Sequence, residues 1–362
     1  MALQINGTTV VDNSRNITGV SVTGTDDLSF GSGTTPARPA SPVSGDIRYN
    51  TTLAKIEVYN GSQWRLLTEI PAVTGIFGGG VTPSINSSIQ YLDIASTGNT
   101  TKFGELATGR YELASCASST RGVFAGGRGP TATGIRAIDY ITISSTGNAI
   151  GFGNLTQSRY ALAGCSNSTR GVFGGGGVPS TVTTIDYITI ATTGNATSFA
   201  NLSPGAGGRG MGACASPTEG VFASPSGLLN YIEFATTAFQ ASFGNLTVTR
   251  DYTAGASSPT RGIFAGGIAT PSTRVNTIDY ITFDTKSIST YFGDLSVARG
   301  ELGGASSPTR GVFAGGQTSA NVNSNIIDYI TIASSGNATD FGDLITATGN
   351  LAGTSDGHGG LG

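Results

Sequence analysis

The chain has 362 residues, of which only 11% are charged and 56 are glycine, and its formal net charge is −3. An ordinary soluble protein carries roughly 25% charged residues, so this composition indicates an uncharged polar surface over tight turns, as in durable extracellular proteins. Nucleic-acid binding needs clustered Lys and Arg and a membrane span needs about 20 apolar residues. The sequence has neither, so we expect no nucleic-acid partner and no membrane insertion.

Residues 1–30 are predicted to form an extended arm. The stretch Met1–Gly7 has neither a charged start nor an apolar run, so we expect no secretion signal. Between Asn16 and Val22 polar and apolar residues alternate, which is typical of a strand with one buried face. Because so short an arm cannot bury a core of its own, we expect it to pair with another chain or to dock onto one.

Residues 31–45 are predicted to be a linker, because three prolines and little apolar content favour an extended connector. Residues 46–69 are predicted to form a small three-stranded β module. The only tryptophan, Trp64, should pack on Tyr49 or Tyr59 across this sheet. A unit of this size is marginal alone, which points to packing in an oligomer.

The module carries a recognisable motif. Gly45-Asp-Ile-Arg-Tyr-Asn-Thr51 is followed by Glu57-Val-Tyr-Asn-Gly-Ser-Gln-Trp64, and this pattern resembles a short module of bacteriophage tail fibres. Residues Asn6–Ile17 are similar to the fibre N-termini of marine cyanophages. The resemblance implies a virion protein, released by host lysis, that attaches to baseplate, tail or neck proteins through residues 1–67. It also implies a homotrimer.

The rest of the chain is six repeats with a period near 49 residues. The repeats share a pattern of the form Gly-Val-Phe-Ala-Gly-Gly, then Ile-Asp-Tyr-Ile-Thr-Ile, then Thr-Gly-Asn-Ala and Phe-Gly-Asp-Leu, from which individual repeats depart. The aromatic residues recur as Phe77, Phe124, Phe173, Phe222, Phe264 and Phe313; as Tyr91, Tyr140, Tyr187, Tyr231, Tyr280 and Tyr329; and as Phe103, Phe152, Phe199, Phe243, Phe292 and Phe341. This period, with several short strands per unit, predicts an all-β fold with a six-bladed β-propeller over residues 70–362.

The repeat resembles the kelch repeat, with a double glycine, an aromatic residue in each of the next two strands, and an arginine before the last. It departs from the kelch pattern at the second of these aromatic residues, which is Phe where kelch repeats usually carry Trp. The resemblance implies the fold more than the function. The first repeat lacks its innermost strand, so we expect the strand at 349–353 to complete the first blade.

Two recurring residue types are candidates for chemistry. The arginines are either an anion-binding funnel or structural groups that cap carbonyls and pair with an acid of a neighbouring blade, and we favour the latter. They are Arg110, Arg159, Arg209, Arg250 and Arg299. Cys116, Cys165 and Cys214 share one repeat position, where later repeats carry Ala or Thr. We interpret them as small buried residues, neither disulfide-bonded nor metal-binding.

Catalytic chemistry is not indicated. The one histidine, His358, cannot supply a triad or a histidine-based metal site, so we expect no enzyme, metal or cofactor. Some acids break the repeat, but nothing in the sequence links them: Glu112, Glu219, Glu233, Asp251 and Glu301.

Recognition is expected on the variable connections between the second and third strands of each blade. These connections are residues 81–88, 128–136, 178–184, 225–229, 268–276 and 317–325, and variable loops on a rigid scaffold commonly bind ligands. The candidate ligand-binding residues are Arg128, Arg136, Arg274, Asn321 and Asn323. Neutral drift on an exposed surface would give the same pattern.

The sequence therefore favours a phage fibre protein that adheres to a host-surface glycan. One alternative is a structural decoration or docking fibre of the head, neck or baseplate. The second alternative is an enzyme that degrades surface polysaccharide.

Overall fold

The computed structural model describes residues 3–5, 8–11, 32–44, 46–53, 55–59, 61–66, 73–237 and 239–361. Over these residues the protein is all-β, as predicted, and its only helical elements are short 3-10 turns at Thr35–Ala37, Phe283–Thr285 and Gly359–Leu361. No helix in this part of the chain is long and apolar enough to cross a membrane. The chain divides into two compact units, Met1–Pro71 and Ala72–Gly362.

The first unit contains a hairpin of Leu3–Ile5 and Thr8–Val11 and a four-stranded sheet. In that sheet Ser32–Gly33 runs parallel to Ile47–Asn50, which is followed by Lys55–Tyr59 and Trp64–Leu66. The alternation predicted over residues 16–22 lies outside the described residues.

The linker prediction for residues 31–45 was wrong for the first part of that segment. Ser32–Gly33 adds a strand to the module, and Arg38 forms an ion pair with Glu57. Proline content alone did not reveal this pairing. The expected aromatic contact is confirmed, since the rings of Trp64 and Tyr59 lie 5.6 Å apart.

The module sheet buries its polar face. Arg48 and Glu57 are 5% and 0% exposed, whereas Ile47 and Tyr49 are each 38% exposed. Ile47 pairs with Val58 and Tyr49 pairs with Ile56, so these four apolar side chains share the other face. The polar side chains of this sheet therefore point inward and the apolar ones outward.

The second unit contains six four-stranded antiparallel sheets within the described residues. We call their strands first to fourth in hydrogen-bonded order. The strands are, for sheet one, Ala352–Ser355, Thr74–Gly78, Ser88–Asp93 and Thr101–Glu105; for sheet two, Ala114–Ala117, Arg121–Ala125, Ile135–Thr142 and Ile150–Arg159; for sheet three, Ala163–Ser166, Arg170–Gly174, Thr184–Thr189 and Thr197–Asn201; for sheet four, Gly212–Ala215, Glu219–Ala223, Leu228–Glu233 and Phe239–Asn245; for sheet five, Ala254–Ser257, Arg261–Ala265, Thr277–Thr282 and Thr290–Asp294; and for sheet six, Gly303–Ser306, Arg310–Ala314, Ile326–Thr331 and Thr339–Asp343.

Short strands decorate the connections of this unit. Val81–Thr82 pairs with Ser84–Ile85, Gly177–Val178 with Ser180–Thr181, and Arg299–Gly300 with Gln317–Thr318; Ile268–Ala269 lies between Arg250–Asp251 and Thr273–Arg274. The strand Ala352–Ser355 pairs with Thr74–Gly78, so the C-terminal strand joins the sheet in which the repeat places it.

The core lies between neighbouring sheets. Six buried apolar clusters join sheets one to two, two to three, and so on, and the sixth joins sheet six to sheet one through residues such as Val312 and Phe77. In every sheet the third-strand tyrosine meets the fourth-strand phenylalanine edge to face, with ring centroids 5.8–6.1 Å apart. The repeated aromatic residues are therefore scaffold.

Four of the predicted arginines are buried structural groups. Arg159 pairs with Asp186 at 2.8 Å, and its guanidinium also donates to the carbonyls of Phe173 and Gly175. Equivalent ion pairs are Arg110–Asp139, Arg250–Asp279 and Arg299–Asp328. The favoured structural interpretation is confirmed, because these arginines cap carbonyls and pair with acids. The acid was expected in a neighbouring blade, but it lies in the sheet whose first strand directly follows the arginine.

The remaining sheets show why this pair recurs. In sheet four the aspartate is replaced by Asn230, and Arg209 instead lies 4.9 Å over the ring of Tyr160. In sheet one Thr348 replaces the arginine, and Gln90 replaces the aspartate. The two sheets that lack the aspartate therefore also lack a fully buried arginine. This is expected, because a buried charge without a partner is strongly destabilising.

A second set of arginines ties sheets two, three, five and six each to the sheet that follows it, whereas sheet one has Thr74 at this position. Arg121 lies 4.6 Å over the ring of Tyr140 and donates to the carbonyls of Ile190 and Ala191 in sheet three. Arg170, Arg261 and Arg310 make equivalent contacts.

Sheet four carries Glu219 at this position, and the cation comes from sheet five instead. Lys286 pairs with Glu219 and lies 4.5 Å over the ring of Tyr231. Glu219, which breaks the repeat in sequence, is thus part of a charge-exchanged version of the same contact.

The three cysteines are free and buried, as expected. They lie against glycines of the following sheet, where a Cβ on Gly171 would lie 2.5 Å from the Cys116 Sγ. This close packing accepts only small side chains.

Candidate functional site

The second unit has two distinct ends. We call loop end the side that holds the connections between second and third strands and the residues preceding each first strand. The two groups are adjacent, because Tyr111 and Arg128 exchange both backbone hydrogen bonds, at 3.1 and 2.7 Å. We call turn end the opposite side, which holds the turns that leave the first and third strands.

Six residues at the loop end form a closed ring of backbone hydrogen bonds. Each N–H donates to the carbonyl of the previous member, at 2.5–3.1 Å, and Glu112 closes the ring on Asn350. The ring residues are Glu112, Ala161, Gly210, Tyr252, Glu301 and Asn350. All six have φ between +51° and +72°, a backbone region that residues other than glycine rarely adopt. Six mutually supporting bonds hold this conformation in place.

The ring surrounds a cavity of about 110 Å³ that continues onto the first residues of the first strands. The ring position carries a long polar side chain in four sheets but only Ala161 and Gly210 in the other two. The ring of Tyr252 leans over Gly210, where a Cβ would come within 2.6 Å of it. The cavity is therefore asymmetric, with the polar groups concentrated on one side.

Carboxylates dominate the chemistry of this wall. Burial raises the pKa of Glu112 despite the Arg128 Nε, which lies 2.8 Å from its Oε2. Burial also raises the pKa of Glu301, against the opposing effect of Arg274. The neighbouring Asp251 has its pKa raised to about 6 by burial. These acids lie in a partly desolvated site.

Several polar atoms around the cavity are buried without a hydrogen-bond partner. They include the acceptors Glu301 Oε2 and Asn350 Oδ1 and the donor Arg274 Nε. The Tyr252 hydroxyl is 3.5 Å from Glu112 Oε1. Because buried polar groups are normally paired, these atoms indicate that water or a polar ligand belongs in the cavity.

The structure places two of the five predicted site residues beside residues that line this cavity. Arg128 pairs with Glu112 and stacks 3.7 Å from the centroid of the Tyr160 ring. Arg274 donates to Gln317 at 3.1 Å and acts electrostatically on Glu301.

The other three predicted residues lie elsewhere. Asn323 donates to the Val81 carbonyl at 2.7 Å, which ties the sheet-six connection to that of sheet one. Asn321 is exposed in a turn with φ +57°, and Arg136 is exposed on the third strand of sheet two.

The interpretation that nothing links the acids that break the repeat was wrong for Glu112 and Glu301. Both line the cavity, at the same ring position, and Asp251 precedes the ring residue Tyr252. Tyr252 and Asn350 were missed altogether. The available signal was positional, since these residues align between repeats although their types differ.

A second, smaller cavity of about 50 Å³ lies at the turn end. The tail that follows Ala352–Ser355 enters it, with His358 Nε2 3.0 Å from the Ala117 carbonyl oxygen and 3.2 Å from Ser166 Oγ. Burial lowers the pKa of His358 to about 4. Among the described residues no group of three or more His, Cys, Asp or Glu could hold a metal ion.

Comparison with known proteins gives no assignment. No protein-family model matches the sequence, and no curated protein matches it.

Proposed function

We propose that the six sheets of the second unit are the blades of a six-bladed, kelch-like β-propeller. The support is the order of the apolar clusters, in which each sheet packs on the next and sheet six packs on sheet one. The backbone ring at the loop end has the same order.

We further propose that the protein is a phage virion fibre that adheres to a glycan of the host surface. Residues 1–67 attach it to other virion proteins, and the loop end of the propeller binds the ligand. One observation carries this proposal: the loop end combines an asymmetric polar cavity with connections that differ between sheets. A concave site with a few convergent polar groups on a rigid scaffold is typical of small-ligand recognition.

The homotrimer is part of the same proposal. The sheet of the first unit exposes Ile47 and Tyr49 on its apolar face and buries Arg48 and Glu57 on the other. So small a sheet gains little from a polar core, and covering the apolar face with further copies of the chain stabilises it.

Light scattering on the full chain tests the oligomer. We expect a trimer for the natural chain and a monomer for the double variant Ile47→Glu/Tyr49→Glu. Leu53→Glu, at a comparably exposed turn residue, serves as the control and stays trimeric. A natural chain that is monomeric at micromolar concentration would contradict the trimer.

Binding of the fluorescently labelled full chain to a panel of cyanobacterial strains tests adhesion. We expect strain-selective binding that is lost when connections 128–136 and 268–276 are replaced by Gly-Ser sequences. Ile150→Ser, on the fourth strand of sheet two and 57% exposed, is the control and binds normally. Absence of binding to every strain, together with binding to virion components, would favour a structural decoration instead.

A further inference from the structure

We propose that the loop-end cavity is a subsite for the terminal residue of a glycan, and that it selects neutral or amino sugars over acidic ones. This inference rests on the proposed adhesion function. It specifies the ligand as a sugar whose hydroxyl or ammonium groups donate hydrogen bonds to the cavity wall.

The cavity offers hydrogen-bond acceptors more than donors. All six N–H groups of the ring are used in bonds to ring carbonyls. The unpartnered side-chain atoms on the wall formed by Glu301 and Asn350 are oxygens. A ligand that satisfies this wall must bring the hydrogens, and carboxylates accept strongly from hydroxyl and ammonium groups.

Arginines are present, but each already has a role at the rim. Arg128 is held between Glu112 and the ring of Tyr160. Arg209 donates to the Pro179 carbonyl and Arg274 to Gln317. Glu112 and Glu301 line the cavity, whereas these three arginines do not. An acidic sugar in the cavity would therefore meet carboxylates first, and like charges repel in a desolvated site.

The size of the cavity limits the ligand to one residue. A volume of about 110 Å³ corresponds to three or four waters at roughly 30 Å³ each, which suits the polar edge of one sugar and not a chain.

The cavity is also closed beyond its floor. The first strands approach so closely that a Cβ on Gly255 would collide with the Ala213 carbonyl, and the tail around His358 lies on the turn-end side. A polymer cannot thread through, so the subsite takes a chain end.

Two variants of the full chain test the subsite. Ala161→Tyr fills the open side of the cavity, and Tyr252 shows that the ring backbone accepts tyrosine at φ +51°. Glu301→Gln keeps the shape but removes the charge. Glu105→Gln, on the fourth strand of sheet one, is the matched control.

The measurement is binding of each labelled variant to a strain that the natural chain binds, with methyl glycosides of galactose, glucosamine and galacturonic acid as competitors. We expect Ala161→Tyr to abolish binding and Glu301→Gln to weaken it about tenfold, as loss of a charge-assisted hydrogen bond does. Glu105→Gln binds normally. The neutral or the amino glycoside competes at a concentration at least about tenfold lower than the uronate.

The outcomes separate the two proposals. If the natural chain binds no strain, adhesion fails and the subsite falls with it. If the natural chain binds but Ala161→Tyr binds equally well, or the uronate competes best, adhesion stands and the subsite is overturned.

Discussion

At the loop end, six positions with one backbone conformation carry Glu, Ala, Gly, Tyr, Glu and Asn. At the turn end, the last residues of the same six first strands are only Ala or Ser, and a serine such as Ser166 bonds to the carbonyl of Ala117 in the preceding sheet. Both ends use hydrogen bonds between neighbouring sheets, but only the loop end varies its side chains. Repetition of side chains is typical of scaffold, and the proposed binding site depends on the variation at the loop end.

The largest effect is expected at the buried ion pairs beneath the loop end. Arg159→Met leaves Asp186 buried without its cation, and we expect a loss of about 3–5 kcal/mol in the free energy of unfolding. Urea denaturation of the full chain measures it. Arg209→Met, where Asn230 replaces the acid, should cost no more than about 1 kcal/mol. Equal losses would contradict the assignment.

The two ends should respond to acid with opposite signs. The folded pKa of His358, about 4, lies below its ordinary 6.5, so the unfolded chain binds more protons between these values and stability falls as pH falls. At the loop end the folded pKa of Asp251, about 6, lies above its ordinary 3.8, so stability rises as pH falls through 6.

Unfolding free energies at pH 7.5 and 4.5 test these signs. We expect His358→Gln to lose less stability than the natural chain on acidification, because the variant has no imidazole to protonate. The difference should be roughly 2 kcal/mol, reduced from the full effect because His358 is only partly buried. Asp251→Asn should lose more than the natural chain, because it lacks the compensating gain. The same pH response in both variants and the natural chain would show that neither group is linked to folding.

The turn-end contacts between sheets can be weakened separately. Arg121→Ala removes two hydrogen bonds to sheet three and the stacking on Tyr140, and we expect a cost of about 1–1.5 kcal/mol. Arg136→Ala, an exposed arginine of the same sheet, should stay within about 0.5 kcal/mol. Thermal or urea unfolding compares the two, and a larger effect at Arg136 would reverse the assignment.

The smallest effect is expected at the exchanged contact of sheet four. Lys286→Ala should cost about 0.5–1 kcal/mol, because the ion pair with Glu219 is partly exposed. Glu219→Arg/Lys286→Ala restores the arrangement of the other sheets and should recover most of that loss. A double variant worse than both single variants would show that the two contacts are not equivalent.

The sequence predicted what the repeats share. The strand order, the pairing of the C-terminal strand and a structural role for the arginines follow from residues that recur at one position. The partner of Arg159 was not predicted, because an acid of a neighbouring blade was expected and Asp186 was interpreted as a turn or ladder residue. The cavity did not follow, because Glu112, Tyr252 and Asn350 share a repeat position but not a residue type. The backbone conformation that groups them depends on bonds between six sheets.

The first unit shows a different limit of sequence reasoning. Polar and apolar residues alternate along the strand Ile47–Asn50, but alternation cannot tell which face is buried. The ion pair of Arg38 with Glu57 draws the polar face inward, and it joins residues that composition had assigned to different segments.

The pairing of Ala352–Ser355 with Thr74–Gly78 has a consequence for synthesis. The earliest strand of the second unit to leave the ribosome waits for nearly the whole unit to be made before its partner exists. Sheets two to six can form in order behind it, while sheet one keeps an unpaired edge throughout. A chain cut short before Ala352 would retain that edge, so sheet one can be completed only after residue 355 has been synthesised.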